Sequence, residues 1–267
     1  MITVQKSEKR RHIENKERST WITFDSENNA DPLQDGFGVL KILNEEILSP
    51  GNGFVLHTTE GMIIITYVRE GMIIYKGPLE KPDFLESKEF FQGNAASNTK
   101  QYAFNVSQSE DAHVFQCGFS LQGCKMVLNE SGHVSNEVIL AKPGVKKLFT
   151  HAERQGTLKL IASNDGRDSS LPIEQDVQMY STYINKGNHI VHPLKEGRFA
   201  WLHVIKGEIL MHNLHLLIGD GAGLSGERSI SFTAKGPAEV LLFDLCAQVP
   251  ENTKKIPEVK LQSAKTR

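Results

Sequence analysis

The sequence predicts an all-β protein built from two similar barrels. Turn-forming residues recur about every 8 to 12 positions between short apolar or alternating segments, and long helical periodicity is almost absent. Residues 53–75 are the clearest example, because a strand ending at His57 is followed by the apolar run Met62–Val68, a turn at Gly71 and a third strand. This run is too short to span a bilayer and is typical of a buried strand.

An internal repeat is the second observation. Residues 187–192 resemble residues 51–57, and residues 201–209 resemble residues 66–73. The two copies lie about 135 positions apart, a period far longer than that of solenoid repeats. The repeat predicts a duplicated β unit, one copy in each half of the chain. The alternative is a chance similarity between two hairpins.

The strands are predicted in order from alternation or from short apolar runs bounded by turn signals. They lie at residues 21–24, 38–48 (as a strand pair), 53–57, 62–68, 72–75, 102–106, 113–119, 177–184, 187–192, 201–209, 214–218, 230–234 and 240–245. Residues 79–91 mix charged and aromatic side chains and predict no single element.

The predicted domain organisation follows from these strands and from the polar stretches between them. It comprises a charged N-terminal segment (1–20), an N-terminal barrel (21–121), a linker (122–145), a C-terminal barrel (146–247) and a polar tail (248–267). We expect the charged segment to be a solvated surface, and the tail to be disordered or docked on the barrels.

The composition indicates which kinds of partner and compartment to expect. The 267 residues carry a net charge of −2, so the protein lacks the overall positive charge that would favour binding to nucleic acid. The three cysteines lack zinc-site spacing and indicate reduced thiols. The first residues carry no apolar signal-peptide core, and no run could cross a bilayer. We therefore expect a cytoplasmic protein without a membrane partner.

Several short motifs, in this order and spacing, resemble those of the pirin-like bicupins of the cupin superfamily. They cover residues 21–245 and comprise Trp21-x-Thr23-Phe24, Asp31-Pro32, Gly36-Phe37, Gly53-Phe54-x-x-His57, Thr66-Tyr67-Val68-x-x-Gly71, Ala112-His113-x-x-Gln116, Asp165-Gly166, Val204-x-Lys206-Gly207 and Leu241-Leu242-Phe243-Asp244-Leu245. The resemblance implies two tandem cupin (jelly-roll) barrels from an internal duplication. It also implies, for many members, an Fe(II) or similar metal in the N-terminal barrel. Some members cleave quercetin with dioxygen, and others are linked to transcription-factor binding.

The resemblance implies where such a metal would bind. The family uses His-x-His on one strand and His-x-Glu on another, a set that leaves open positions for oxygen and substrate. Here the first pair reads His57-Thr58-Thr59, and the second aligns with Gln101-Tyr102-Ala103. His57 is the only retained ligand position. One imidazole and a neutral amide supply too few strong donors for Fe(II), so we predict that the metal site is lost.

Two functional hypotheses follow. In the first, the protein needs no metal and binds an unknown small molecule or protein partner, in a regulatory or interaction role. Polar contacts in the N-terminal barrel would then come from His57, Thr59, Tyr67, Gln101 and Tyr102. The alternative is a quercetin-type dioxygenase with Fe(II) or another divalent metal in a rearranged site around His57. A metal-free enzyme, such as an isomerase, would be a third class, with Glu60 as its base.

Five other residues could take part in metal binding or catalysis, and for three of them we expect a structural role. Glu60, His113 and Gln116 could replace the lost ligands by position, but we expect a structural role for His113. Cys117 lies in an apolar strand and is predicted to be inert. Asp220 lies between two glycines and is predicted to be a turn residue, not a catalytic acid.

Three histidines of the second half could form a cluster. The spacing of His189 and His192 places their side chains on opposite faces of one strand, and His203 lies on another strand. We therefore expect histidines with satisfied hydrogen bonds and no metal site among these three.

Overall fold

The structure is a computed structural model that describes residues 1–57, 62–77, 82–93, 100–120 and 144–246. For Leu56 and His57 it describes the backbone alone. Thr59, Glu60, the predicted tail and most of the predicted linker lie outside these ranges. Within them, no helix has the length and apolar character needed to cross a membrane.

Strands make up nearly all the regular structure of the described residues. In the first half they are β1 (Ile2–Gln5), β2 (Arg11–Glu14), β3 (Arg18–Ile22), β4 (Leu40–Leu48), β5 (Gly53–His57), β6 (Met62–Glu70), β7 (Met72–Lys76), β8 (Asp83–Glu86), β9 (Glu89–Gln92), β10 (Lys100–Asn105), β11 (Ala112–Ser120) and β12 (Val145–Leu148). In the second half they are β13 (Lys159–Ser163), β14 (Leu171–Pro172), β15 (Val177–Ile184), β16 (His189–Pro193), β17 (Phe199–Lys206), β18 (Glu208–Met211), β19 (Leu214–Leu217), β20 (Gly221–Ser225), β21 (Ser229–Ala234) and β22 (Ala238–Leu245).

In the described ranges, helical structure is limited to one short α-helix, α1 (His151–Arg154), and two 3-10 turns, Ser7–Lys9 and Arg167–Ser169. Thr150 begins α1 with a capping box, in which its side chain accepts from the Glu153 amide and Glu153 accepts from the Thr150 amide. This cap fixes the position of Arg154 at the end of the helix.

Each half of the chain forms a seven-stranded sheet and a four-stranded sheet. The N-terminal sheets have the orders β12-β9-β6-β11-β4-β3-β2 and β5-β10-β7-β8, and the C-terminal sheets have the orders β1-β20-β17-β22-β15-β13-β14 and β16-β21-β18-β19. The two orders correspond strand by strand, with β5 matching β16 and β6 matching β17. The all-β prediction of two similar barrels is confirmed.

Two local predictions need correction. Residues 38–48 do not form a strand pair. Instead β4 is continuous, and its central residue Asn44 is paired with Ile22 on one side and with Gln116 on the other. Residues 79–91, which predicted no element, include β8 and most of β9.

The barrel borders drawn from the sequence are crossed by two strands. β1 pairs with β20 in the C-terminal sheet, so Ile2 lies opposite Leu224. β12 pairs with β9 in the N-terminal sheet. Between β1 and β2, Lys6 binds Asp220 at 2.7 Å and Arg10 binds Glu45 at 2.8 Å. The segment predicted to be solvated therefore contacts both barrels.

The buried apolar side chains of the described residues form three clusters: one inside each barrel and one between the barrels. Alternation decides which cluster a side chain joins. On β17, Trp201 and Ile205 belong to the cluster between the barrels, whereas Leu202 and Val204 belong to the C-terminal barrel. β6 and β17 are buried on both faces, and this explains why their sequences are continuously apolar.

Glycines on β20 let aromatic rings lie against its backbone. A Cβ at Gly221 would come within 2.4 Å of the Trp201 ring, and one at Gly223 within 2.4 Å of the Phe37 ring. Trp201 and β20 belong to the same sheet, but Phe37 comes from the N-terminal half, so its ring against Gly223, 5.5 Å from the ring of Trp201, helps to join the two barrels.

Candidate functional site

Strands β5 and β10 carry the candidate residues of the N-terminal barrel. The two strands are paired, with Lys100 opposite His57 and Ala103 opposite Phe54. Gln101 and Ala103 are buried, with 1% and 0% of their surface exposed, whereas Phe104 is exposed. Gln101 and Ala103 therefore point into the barrel, and their neighbours in sequence point away from it.

Tyr102 does not line the barrel interior, contrary to the prediction. It lies on the outer face of β10, where its ring is stacked parallel to that of Phe104 at a centroid distance of 6.4 Å. Residues at positions i and i+2 share a face of a strand, and Tyr102 has the opposite parity from Gln101.

Several neutral polar groups share the interior of the N-terminal barrel with Gln101. Gly93 lies beside both Gln101 and Tyr75, because a Cβ at Gly93 would come 3.2 Å from the Gln101 Oε1 and 2.6 Å from the Tyr75 hydroxyl. Thr66 and Gln116 are opposite each other on β6 and β11, and both are buried. The described interior thus presents amides and hydroxyls, with aromatic rings such as that of Tyr75.

Tyr67 is the second predicted cavity residue that lies elsewhere. It belongs to the cluster between the barrels, where its ring stacks on Phe90 at 4.1 Å. Its hydroxyl donates to Glu239 Oε1 of the C-terminal barrel at 2.6 Å. Burial, and then the charge of Glu239, raise the pKa of Tyr67 well above its usual value. Tyr67 therefore joins the barrels and does not line the N-terminal interior.

Arg154 and Glu239 form a buried polar network around Tyr67. Both side chains are almost completely buried, with 0% and 1% exposed. Arg154 donates to the hydroxyls of Tyr67 (3.0 Å), Ser181 (3.0 Å) and Tyr183 (2.8 Å), and contacts Glu239 at 3.4 Å. Sequence reasoning missed this network. The available signal was a lone glutamate, Glu239, within the apolar strand β22.

The network continues across the N-terminal barrel. Arg69 donates from Nε to Glu239 at 3.0 Å and from Nη1 to His113 Nδ1 at 3.2 Å, and His113 Nε2 lies 2.9 Å from Glu45. Because arginine only donates, Nδ1 of His113 must accept, and Nε2 therefore carries the proton. Burial alone would raise the pKa of Glu45, but its bonds to His113 and Arg10 lower it to about 2. His113 thus has the place expected of a structural residue.

A cleft of about 310 Å³ opens beside this network, where the two barrels meet. It is lined by residues of both halves of the chain, namely Arg69, Glu70, Ser87, Lys88, His151, Gln155, Tyr183, Ile184, Asn185, Lys206, Pro237, Ala238 and Glu239. The three predicted ligand-binding residues whose side chains the structure describes, Tyr67, Gln101 and Tyr102, do not belong to this lining.

The three histidines of the second half do not converge. His189 is exposed and bonds to Thr233, whereas His192 is buried and lies 2.9 Å from Asp244. His203 is fully buried, and burial lowers its pKa to about 3. Neither ring nitrogen of His203 has a hydrogen-bond partner among the described residues, so the expectation of satisfied hydrogen bonds is wrong for this histidine. Within the described ranges, no group of three or more histidine, cysteine, aspartate or glutamate side chains could hold a metal ion.

The cysteines and Asp220 have contacts that indicate structural roles. Burial raises the pKa of the Cys117 thiol, as expected for an inert cysteine. Cys246 is disulfide-bonded, so the expectation of reduced thiols is wrong for this residue. Asp220 lies in the predicted turn, but it also accepts from the Ser7 amide at 2.8 Å and binds Lys6.

Comparisons with known proteins agree with this architecture. A family profile described as the quercetinase C-terminal cupin domain matches residues 160–245. A quercetin 2,3-dioxygenase of Escherichia coli O157:H7 is 28% identical over 245 residues, which cover 92% of this chain and 99% of that protein. The crystal structure of the bacterial pirin YhhW from Escherichia coli, in complex with nickel(II), matches with a TM-score of 0.79 and 27% identity, covering 92% of this chain and 100% of that one. The chain has a two-barrel cupin fold and is similar over most of its length to pirin-like bicupins.

The bicupin is also similar to the pirin-like protein YhaK of Escherichia coli strain K12, with 27% identity over 231 residues, 84% of this chain and 90% of that protein. Its relatives thus include proteins named as quercetin dioxygenases and proteins named only as pirin-like.

The described residues of this bicupin do not fit the metal that the family resemblance implies. Gln101 offers a neutral amide at one position of the second ligand pair, and Ala103 offers no donor at the other. Both side chains point into the barrel, so the interior presents an amide and a methyl group at these two positions. The first pair, His57 and Thr59, lies outside the described side chains.

Proposed function

We propose that this bicupin acts without a metal, as a small-ligand-binding or regulatory protein. The single observation that carries the proposal is that Gln101 and Ala103, whose side chains face the interior of the N-terminal barrel, replace a histidine and a glutamate of the family's ligand set. Neither side chain supplies charge or a strong donor to a transition metal. A ligand of this barrel would instead meet neutral groups such as Gln101 and Thr66, together with His57 and Thr59 of the predicted set.

The second candidate function is a quercetin-type dioxygenase with Fe(II) or another divalent metal in a rearranged site. It is favoured by the quercetin 2,3-dioxygenase that matches 92% of the chain and by the nickel complex of YhhW. In this case His57 would be the inherited ligand.

Metal analysis separates the two functions. We expect the full chain, reloaded with Fe(II), Mn(II), Ni(II) or Cu(II) and then desalted, to retain about 0.1 metal ion per chain or less, because the ligand set is incomplete. It should also leave quercetin unchanged under oxygen. Mass spectrometry of the elements and quercetin absorbance measure these results. One metal per chain, lost in His57→Ala together with quercetin turnover, would establish the dioxygenase.

A variant that restores the family's ligands tests whether the substitutions at residues 59, 101 and 103 are the reason that we expect no metal. Thr59→His, Gln101→His and Ala103→Glu together restore the family's ligand types, and we expect this triple variant to retain about one Ni(II) per chain. The matched control keeps Thr59→His but moves the two changes on β10 to the outward-facing positions, as Tyr102→His and Phe104→Glu. The interior then gains no carboxylate and no third imidazole, so the control should retain far less Ni(II) than the triple variant. Equal Ni(II) in both variants would contradict the placement of Gln101 and Ala103.

A further inference from the structure

We propose that the cleft between the barrels binds a small organic anion, a carboxylate or phosphate monoester with an apolar or aromatic body. This inference goes beyond the proposed function. The cleft is a different site from the N-terminal barrel interior, because Arg69, like Tyr67, lies on the face of β6 that is turned toward the C-terminal barrel, where it binds Glu239. The metal analysis and the His57→Ala variant test the N-terminal barrel and therefore do not test anion binding in the cleft.

The charges of the cleft favour an anion. Three basic side chains, Arg69, Lys88 and Lys206, line it against two acidic ones. Both acids already have cationic partners: Glu70 binds Arg69, and Glu239 lies between Arg69 and the buried Arg154. The negative charge inside the cleft is thus compensated.

The two lysines are available to a ligand. Lys88 and Lys206 are exposed, and neither has an ion-pair partner among the residues that the structure describes. Lys88 lies in the turn between β8 and β9 of the N-terminal barrel, and Lys206 ends β17 of the C-terminal barrel. A cleft with unpaired cations concentrates anions, so one anion could contact both barrels at once.

The body of the ligand is indicated by the uncharged part of the lining. Ile184, Pro237 and Ala238 form an apolar section beside the ring of Tyr183. An inorganic ion would leave this section in water, whereas an organic anion would cover it. The volume of about 310 Å³ lies at the lower end of the range found for small-molecule sites, so the ligand is small.

The floor of the cleft is already ordered. Arg154 lies over the Tyr183 ring at 4.3 Å, and His151 is stacked with the same ring at 4.3 Å. Arg154 also donates to the Tyr183 hydroxyl at 2.8 Å. A ligand therefore need not order these side chains when it binds, which lowers the entropic cost of binding.

Calorimetric titration of the full chain with phenyl phosphate and with benzoate tests the site. We expect a Kd on the order of 0.1 to 1 mM for at least one of them, rising with ionic strength. Lys88→Gln and Lys206→Gln should each weaken binding roughly fivefold, and the double variant roughly 20-fold. Both side chains are exposed, so thermal unfolding should confirm that the variants fold like wild type.

The matched control is Lys195→Gln, which makes the same charge change. Lys195 precedes β17, a strand about 23 Å long, and Lys206 ends it, so the two lysines lie toward opposite ends of β17 and only Lys206 lines the cleft. Its Kd should equal that of wild type. The proposal fails if neither anion binds at about 10 mM, or if the double variant binds as tightly as Lys195→Gln. Equal affinity for neutral benzyl alcohol would rule out the anion, and equal affinity for inorganic phosphate would rule out the organic body.

Discussion

Replacing Arg154 by methionine is expected to lower the free energy of unfolding by about 3 to 5 kcal/mol. The guanidinium is fully buried and donates to the hydroxyls of Tyr67, Ser181 and Tyr183. Its removal leaves these hydroxyls with fewer partners and leaves the buried carboxylate of Glu239 with Arg69 as its remaining cation. Methionine keeps much of the volume but supplies no donor.

Chemical unfolding of the full chain, followed by tryptophan fluorescence and by circular dichroism, measures this loss. The control is Arg167→Met, because Arg167 makes an exposed pair with Asp165. Exposed pairs contribute at most about 1 kcal/mol, so the control should resemble wild type. An equal, small effect of both variants would show that the Arg154 network does not stabilise the fold.

A double variant distinguishes the lost partner from lost packing. Removing both members of a buried ion pair costs less than leaving one member unpaired. Arg154→Met combined with Glu239→Met should therefore be more stable than the sum of the two single effects predicts. Strict additivity would mean that the two side chains do not interact.

The wild-type protein is expected to lose stability as the pH rises from about 4.5 to 7, and the variant Glu46→Gln should not show this loss. Burial raises the pKa of Glu46 from 4.5 to about 7, although Thr20 donates to its carboxylate. As the pH rises through this window, the carboxyl group ionises in the unfolded chain before it can ionise in the folded one. The folded state thus loses about 3 kcal/mol of stability, because each pKa unit corresponds to about 1.4 kcal/mol.

Unfolding curves at pH 4.5 and pH 8 measure this difference. Glutamine stays neutral and can still accept from Thr20, so Glu46→Gln should exceed wild type at pH 8 by about 3 kcal/mol and match it at pH 4.5. Glu14→Gln, at an exposed position of β2, should change neither value. Glu45 acts in the opposite direction: its pKa is lowered to about 2, so its contribution is present above pH 4.5 and disappears as the pH falls toward 2. A flat wild-type profile above pH 4.5 would contradict the buried Glu46.

The strands could be predicted because alternation is a local property. β11, β15 and β22 lie where their apolar patterns indicated. It was harder to predict what each face of a strand packs against. Alternation shows which side chains share a face, but not whether that face lines a barrel or meets the other barrel. Tyr67 shows this, since β6 is buried on both faces and its sequence contains no alternation that separates them.

The cleft and its network could not be predicted from spacing. Arg154 and Glu239 are 85 positions apart, and Arg69 and Glu239 are 170 positions apart. Nothing in the sequence around these charged residues links one to another, and only the packing of one barrel on the other brings them together. By contrast, the absence of ligand types at Gln101 and Ala103 was visible in the sequence, because the family motif fixes their positions.

The pairing of β1 with β20 has a consequence for protein synthesis. Met1 and Ser225 are 224 positions apart in the chain, yet the amino group of Met1 donates to the Ser225 carbonyl at 2.6 Å. A ribosome must therefore make nearly all of the second barrel before β1 can find its partner. Until then, the strand Ile2–Gln5 presents unpaired backbone groups, which can pair with other chains. Nascent chains of this bicupin should thus depend on chaperones late in translation, after the first barrel has left the exit tunnel.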